Sequence, residues 1–147
     1  MKLSEIMTRD VVILQPDDSL QAAAKMMRDR NIGFLPVCDG DNLIGVISDR
    51  DITIRALADG MDVSIMLGRD LMTKPAIYCF DDQDVREAAK IMEENQIRRL
   101  VVLSREDKRL VGIISLGDLA RNETADRSGK VLQKVSEPDG SEKAKNA

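Results

Sequence analysis

Apolar residues recur at helical spacing in two stretches of the chain that begin 65 residues apart, at Leu20 and Val85. Within each stretch they occupy positions i, i+3, i+4 and i+7, the pattern of an amphipathic helix with one face toward a core. The same phase at a fixed offset indicates an internal repeat. The positions are Leu20, Ala23, Ala24 and Met27 in the first copy, and Val85, Ala88, Ala89 and Met92 in the second.

A short apolar run follows each helix and predicts a buried strand. The runs are Phe34 to Val37 and Leu100 to Leu103, with the length and β-branched content that strands favour. The first run reaches the turn residues Asp39 to Asn42, and the second reaches a longer charged stretch from Ser104 to Lys108. Each copy therefore predicts a hairpin, with two extra residues in the second turn.

A further strand is predicted ahead of each helix, at Val11 to Leu14 and at Ala76 to Cys79. A last helix follows each hairpin, and in the first copy it continues over Ile52 to Ala58 with Gly60 as its stop. Each copy is then a β-α-β-β-α unit of the mixed α/β (α+β) class. A small sheet with helices on one side leaves apolar surface, so we expect the two copies to pack about an internal pseudo-twofold.

The repeat divides the chain into four segments. The tail is polar, although Val131, Leu132 and Val135 at helical spacing predict one short helix from about Thr124 to Ser136, with disorder expected from Pro138 onward. The segments are a first repeat at 3–60, a linker at 61–70, a second repeat at 71–122 and a tail at 123–147.

The composition narrows the function. The 147 residues carry a formal charge of -4 and contain no His, so a nucleic-acid surface has no global charge support and His-based catalysis is excluded. No run is apolar enough to span a membrane and no signal peptide is evident, so we expect a cytoplasmic protein. Cys38 and Cys79 lie far apart without further thiol ligands, which favours buried thiols over a metal site or a disulfide framework.

One motif ends each hairpin, Gly45 to Asp51 in the first copy and Gly112 to Asp118 in the second, and both read Gly-h-h-Ser-x-x-Asp, where h is apolar. The spacing suits a helix cap, with Ser as the N-cap and Asp three residues later. The same geometry suits a nucleotide, because a helix N-terminus attracts phosphate and an Asp one turn later accepts hydrogen bonds from ribose hydroxyls. The spacing alone leaves both interpretations open.

Together these residues resemble the cystathionine-β-synthase (CBS) domain family, in which two tandem repeats form a Bateman module. The resemblance covers about residues 3–122. It includes the opening Ile6-Met7-Thr8, repeated as Leu71-Met72-Thr73, the Pro36-Val37 strand and the doubled Ser-x-x-Asp motif. It implies two β-α-β-β-α repeats that meet through their sheets, commonly as a homodimer. The second copy departs from the family in having Val101 where the first has Pro36.

The resemblance implies that the chain binds adenosine-type ligands, AMP, ADP, ATP or S-adenosylmethionine, and regulates rather than catalyses. No cofactor is required, and Mg²⁺ would accompany a bound polyphosphate through its phosphate oxygens. The family's phosphate-facing hydroxyl corresponds to Ser48 and Ser115, and its ribose-binding carboxylate to Asp51 and Asp118. The weaker candidates for contacts with the base, through backbone groups and apolar or aromatic side chains, are Val12, Ile13, Ile77 and Tyr78, and Pro36 is a weaker candidate for the nucleotide site as a whole.

Three arginines distinguish the two predicted sites. Arg98 and Arg99 stand where the first copy has Gly33 and Phe34, and Arg50 belongs to the first copy. Each is a candidate for neutralising phosphate or a solvated surface charge. Because side chains alternate along a strand, we expect at most one of Arg98 and Arg99 to face a given cleft.

Three functions follow in order of support. The first is a non-catalytic sensor whose ligand biases the homodimer or an unidentified effector protein. The second is a ligand-free interaction module in which the Ser and Asp residues only cap helices. The third is redox sensing through Cys38 and Cys79, which would need a stabilised thiolate.

Overall fold

The chain crosses twice between two units of the structure, a computed structural model that describes residues 1–138. Unit I is Asp10–Ile77, and unit II combines Met1–Arg9 with the chain from Tyr78 onward. The disorder expected beyond Pro138 lies outside the described residues. Each unit mixes helices with a small sheet and holds one copy of the predicted hairpin, so the α+β class and the two repeats are confirmed.

Unit I has an antiparallel hairpin between a long helix and a short one. The helix that follows the hairpin begins as one α-helical turn and continues as a π-helix. It ends before Gly60, whose φ of 72° is the left-handed conformation that glycine favours. Its elements are α1 (Leu20–Arg30), β1 (Phe34–Asp39), β2 (Asn42–Ser48), α2 (Asp49–Asp51), the π-helical segment (Ile52–Leu57) and α3 (Gly68–Leu71).

Unit II has a three-stranded sheet in the order β3-β4-β5, with β3 parallel to β4 and β4 antiparallel to β5. Its elements are a 3-10 turn (Leu3–Glu5), β3 (Tyr78–Phe80), α4 (Val85–Asn95), β4 (Arg99–Leu103), β5 (Leu110–Ser115), α5 (Leu116–Asn122) and α6 (Ala125–Ser136).

The two hairpins share one register. Phe34 pairs with Ser48 in unit I as Arg99 pairs with Ser115 in unit II, and the ladder shifts at the matched points after Val37 and after Val102. Both predicted hairpins are confirmed. The shared register places Ser48 and Ser115 at the same point, the last residue of the second hairpin strand, directly before a helix.

The first strand of each copy is shorter than predicted. In unit I the segment from Val11 makes only a bridge, between Leu14 and Val37. The cause is Pro36, because a second bridge in this parallel ladder would need a backbone N–H there, and proline has none. Val101 stands at the matched position of unit II, and there the strand forms over Tyr78–Phe80, two residues later than the predicted start.

The opening segment of each sequence repeat joins the hairpin of the other repeat. Thr8 and Ile113 exchange two backbone hydrogen bonds of 2.9 Å, and Thr73 and Val46 exchange two of 2.8 and 3.0 Å. The units therefore divide the chain differently from the contiguous repeats 3–60 and 71–122, which stay a prediction about the sequence.

Each unit has its own apolar core. The predicted helix faces supply it, except that Ala24 is exposed while its counterpart Ala89 is half-buried. In unit II, α6 adds Val131 and Val135 to the core, and its N-cap Thr124 accepts a hydrogen bond from the Arg127 N–H. Fully buried side chains include Leu14, Leu20, Leu35 and Ile47 in unit I, and Leu3, Met92, Leu100 and Ile114 in unit II.

Candidate functional site

Ser48 and Asp51 hold each other in a capping box at the end of β2. The Ser48 hydroxyl oxygen accepts a hydrogen bond from the Asp51 N–H at 3.1 Å, and Asp51 Oδ2 accepts one from the Ser48 N–H at 2.9 Å. The capping interpretation of this motif is therefore correct. The box leaves two groups without a partner among the described residues, namely Asp51 Oδ1 and the hydrogen of the Ser48 hydroxyl. Both residues are half-buried, so a ligand can reach them.

Ser115 and Asp118 form the same box in unit II, with one addition. Asp118 Oδ2 accepts from the Ser115 N–H at 2.8 Å, and the Asp118 N–H donates to the Ser115 hydroxyl at 3.1 Å. Here Arg121, one helical turn later, donates to Asp118 Oδ1. Asp118 is 7% exposed and both of its carboxylate oxygens have partners. The two copies thus present different carboxylates at the same motif position.

A cleft of about 570 Å³ opens beside Ser115. We call it the Ser115 cleft; its lining includes Arg98, Arg99, Ser115, Gly117 and the α6 residue Leu132. Its volume lies within the range of small-molecule sites. None of the residues that line it is acidic.

Arg98 and Arg99 both belong to the lining of this cleft. Arg98 lies in a bend before β4 begins at Arg99, so the strand alternation behind the expectation that at most one would face a given cleft does not apply to it. Both are exposed, and neither guanidinium forms a hydrogen bond or ion pair with another of residues 1–138. In unit I the matched Gly33 instead has the Asp49 carboxylate above it, 2.5 Å from where a Cβ would stand.

The weaker candidates of the first copy lie near the start of the hairpin in unit I. The Pro36 carbonyl accepts from the Leu14 N–H at 2.9 Å, which holds the 11–14 segment against β1. Val12 packs against the core of unit I and Ile13 is half-buried. Arg50 is exposed, and its side chain has no ion pair among the described residues.

The two weaker candidates of the second copy are consecutive residues at a boundary between the units. Ile77 is the last residue of unit I, and Tyr78 begins β3 in unit II. The Tyr78 side chain is 45% exposed. Its ring meets the Phe80 ring edge-to-face at 5.5 Å between centroids, and the guanidinium of Arg105 lies 3.9 Å from the centre of the Phe80 ring. Tyr78 thus presents an aromatic surface beside an existing aromatic and cation-π pair.

Both cysteines are buried free thiols, at 2% and 1% exposure for Cys38 and Cys79. Burial raises the pKa of the Cys79 thiol to about 12. Burial, together with the negative charge of Asp41, also raises the pKa of Cys38. A redox-active cysteine needs a lowered pKa, so their surroundings oppose redox sensing.

Within residues 1–138, no three His, Cys, Asp or Glu side chains are grouped so that they could hold a metal ion. None of the helices in this part of the chain has the length and apolar character that a membrane span requires.

Arg121 and the contribution of α6 to the Ser115 cleft were not predicted from the sequence. A signal for Arg121 was present, because opposite charges at i and i+3 on a helix commonly pair, and its counterpart in the first copy is Ile54. No local pattern places α6 at this cleft, since the hydrophobic spacing predicts the helix without its neighbours.

Comparison with known proteins adds a family match. The model of the CBS domain family matches residues 3–57 and 68–124. The chain is 39% identical to Hypoxic response protein 1 of Mycobacterium tuberculosis over 119 residues, which are 80% of this chain and 82% of that protein. A crystal structure of Hypoxic Response Protein I with two coordinated zinc ions is similar with a TM-score of 0.76 and 37% identity, over 84% of this chain and all of that one.

Two similar solved structures contain adenosine compounds. The CBS domain pair of protein MJ0100, in complex with 5-methylthioadenosine and S-adenosylmethionine, has a TM-score of 0.74 and 27% identity over 83% of this chain and 94% of that one. CBSX2 in complex with AMP has a TM-score of 0.69 and 26% identity over 82% of this chain and 94% of that one.

Proposed function

Because the chain belongs to the CBS domain family, we propose that it is a non-catalytic regulatory module that binds adenosine-type ligands and passes the binding event to a protein partner. The ligand class is AMP, ADP, ATP or S-adenosylmethionine, with Mg²⁺ held by the phosphates when a polyphosphate binds. The similar structures that contain AMP, methylthioadenosine and S-adenosylmethionine support this class.

The observation that carries the proposal is the state of the Ser48–Asp51 pair. Its capping box uses one carboxylate oxygen and the hydroxyl lone pair, and leaves one carboxylate oxygen and one hydroxyl hydrogen without partners. An oxygen that only accepts suits the vicinal hydroxyls of a ribose, which donate, and a hydroxyl hydrogen suits a phosphate oxygen, which accepts. The two interpretations of the motif are therefore compatible, since the cap orients the residues that would bind the ligand.

The site residues follow from this arrangement. In unit I, Asp51 accepts from the ribose and Ser48 donates to the phosphate, with Val12, Ile13 and Pro36 beside the base and Arg50 near the phosphates. In unit II, Ser115 is matched to Ser48, Asp118 stands at the position of Asp51 with both carboxylate oxygens already paired, and Arg98, Arg99 and Tyr78 are the additional contacts.

A regulatory role fits the chemistry of the motif better than catalysis. The hydroxyls of Ser48 and Ser115 face the backbone N–H groups of aspartates, and the sequence has no His to activate either of them. Binding changes the output only where the ligand favours one conformation over another, so the module needs a second body. We propose a homodimer, supported by the exposed apolar side chains of unit I at Ile54, Leu57, Met61 and Ile65.

The test is ligand binding by the Asp51→Asn variant. The amide oxygen of Asn keeps the hydrogen bond from the Ser48 N–H, while its NH₂ group replaces the free acceptor with a donor. Melting temperature and calorimetric titration are measured with adenosine, AMP, ATP and S-adenosylmethionine. A ligand at 100 times its dissociation constant adds about 2.7 kcal/mol, which raises the melting temperature of the wild type by roughly 5–10 °C.

The matched control is Asp70→Asn, since Asp70 closes a similar turn by accepting from the Leu67 N–H at 3.0 Å outside the proposed site. We expect Asp51→Asn to weaken adenosine binding at unit I at least tenfold and Asp70→Asn to leave it unchanged. Absence of a shift with any of the four ligands at millimolar concentration contradicts the proposal and favours the ligand-free interaction module.

A further inference from the structure

The two copies differ in charge at matched positions around the motif. Unit II has arginines at 98, 99 and 121, where unit I has Gly33, Phe34 and Ile54. Unit I has Asp49 and Arg50 where unit II has Leu116 and Gly117. At these five positions the formal charge is zero in unit I and +3 in unit II, so similar backbones present different electrostatic surroundings to a ligand.

Two of these arginines line one cavity of unit II, and the third lies beside it. Arg98 and Arg99 line the Ser115 cleft, no acidic residue lines it, and neither guanidinium has a hydrogen-bond or ion-pair partner within residues 1–138. Arg121 is not a lining residue, but its Nη1 lies 3.5 Å from where a Cβ on the lining residue Gly117 would stand, and its guanidinium is held there by Asp118. Two unpaired guanidinium groups on a concave surface, with a third beside it, suit an anion with several oxygens.

Asp118 has a different task from Asp51. Its two oxygens accept from the Ser115 N–H and from Arg121, so neither is available to a ribose while Arg121 keeps its place. With its side chain 10% exposed, the carboxylate fixes a guanidinium whose own side chain is 71% exposed to solvent. Asp118 is thus a positioning residue for Arg121.

Unit I lacks this arrangement. The Asp49 carboxylate stands above Gly33, in the space from which the matched Arg98 emerges in unit II. Asp49 Oδ1 accepts from the Arg50 N–H at 2.8 Å, so the negative charge is held next to the Ser48–Asp51 pair. Arg50 compensates that charge, so the matched positions of unit I offer no net electrostatic attraction to each additional phosphate of a ligand.

We propose that the Ser115 cleft recognises the polyphosphate of its ligand, with Arg121 as the specificity-determining contact, while the Ser48–Asp51 site recognises the ribose. The assignment rests on the proposed function and names the ligand class of each site. Affinity at the Ser115 cleft rises from AMP to ATP, and affinity at the Ser48–Asp51 site does not increase with phosphate number.

The experiment uses the full chain with Asp51→Asn, which weakens the first site. Calorimetric titration with adenosine, AMP, ATP and inorganic tripolyphosphate is expected to give tight binding for ATP and tripolyphosphate, binding at least tenfold weaker for AMP, and none for adenosine. ATP binding weakens several-fold between 0.1 and 1 M NaCl, because salt screens exposed charges.

Arg121→Gln, added to Asp51→Asn, is expected to weaken the binding of ATP and of tripolyphosphate roughly tenfold. Arg127→Gln removes an equal charge from α6 and serves as its control, because Arg127 pairs with Glu123 at 3.4 Å and lines a different cavity, beside α4. The double variant Arg98→Gln with Arg99→Gln tests the cleft without touching Asp118 or its cap.

The outcomes separate the two proposals. Tripolyphosphate binding that depends on Arg121 supports the cleft assignment even where no adenosine ligand binds, an outcome in which the nucleotide function alone fails. If the Asp51→Asn protein binds adenosine as tightly as ATP, the assignment of the Ser115 cleft to polyphosphate is overturned. The assignment is also overturned if tripolyphosphate does not bind while the wild type binds adenosine through Asp51. In that case the proposed nucleotide-binding function stands.

Discussion

The substitution Gly45→Ala tests whether close packing holds the segment Leu71-Met72-Thr73 against the hairpin of unit I. Gly45 lies on β2, where an added methyl carbon would stand 2.8 Å from Met72 Sδ and 2.9 Å from the Thr73 carbonyl oxygen. Both distances are well inside ordinary van der Waals contact. The glycine of the Gly-h-h-Ser-x-x-Asp motif is therefore required by the segment that crosses it.

The magnitude follows from which atoms can move. The Met72 thioether is flexible and can turn aside, but the Thr73 carbonyl accepts the Val46 N–H at 3.0 Å and cannot retreat without loosening that bond. Overpacking costs about 1–3 kcal/mol, and a weakened backbone hydrogen bond about 0.5–1.5 kcal/mol. The sum, about 2–4 kcal/mol, corresponds to a fall in melting temperature of roughly 5–12 °C.

Urea unfolding followed by circular dichroism measures the loss of stability, and hydrogen exchange across residues 66–74 measures detachment of the segment. Adding Met72→Ala to Gly45→Ala should recover only part of the stability, because the carbonyl contact remains.

The control is Gly129→Ala, where no atom lies within 4 Å of the added carbon and a helical glycine is replaced. It should stabilise the protein by about 0.5–1 kcal/mol. A Gly45→Ala protein within about 0.5 kcal/mol of the wild type, with unchanged exchange at 66–74, would refute the packing argument.

Two further predictions concern titratable groups. Burial raises the pKa of the Cys79 thiol to about 12 and also raises that of Cys38, so neither should react with a thiol reagent at pH 8 until denaturant is added; rapid labelling of the native protein would reopen the redox hypothesis. Hydrogen bonds from the Arg86 N–H and then from the Met1 amino group lower the pKa of Asp84, the N-cap of α4. A carboxyl whose pKa is lowered by folding stabilises the folded protein at pH values above its ordinary pKa of about 4. This stabilisation is lost as the pH falls through the folded-state pKa. The difference in melting temperature between the wild type and Asp84→Asn should therefore close on acidification from about pH 6, and a constant difference would contradict the assignment of the shift to this carboxyl.

Local rules predicted much of the fold. The two helix faces, the two hairpins and the N-cap positions of Ser48 and Ser115 all follow from residues within a few positions of one another. The missing strand before α1 was also predictable, because Pro36 has no N–H to donate to a parallel neighbour. Reading that proline only as part of a family pattern concealed its effect on the sheet.

The Ser115 site was predicted only in part. The motif identified Ser115 and Asp118, but the state of the Asp118 carboxylate depends on Arg121, whose rotamer and partner are decided by packing. Strand alternation was applied to Arg98, which lies just before the strand begins. An error of one residue in the predicted strand boundary therefore removes the basis for assigning the two side chains to opposite faces.

By itself the sequence determined the repeat, its two helix faces, its two hairpins and the pairing of each Ser with its Asp, because these depend on spacings of two to four residues and on turn chemistry. Only the tertiary structure decided which hairpin each Met-Thr segment joins, and that α6 lines the cleft beside Ser115. The physical reason is that both copies offer nearly identical local patterns. The choice between equivalent partners is made by long-range contacts, such as Met72 against Gly45 and Met7 against Gly112, which no local spacing encodes.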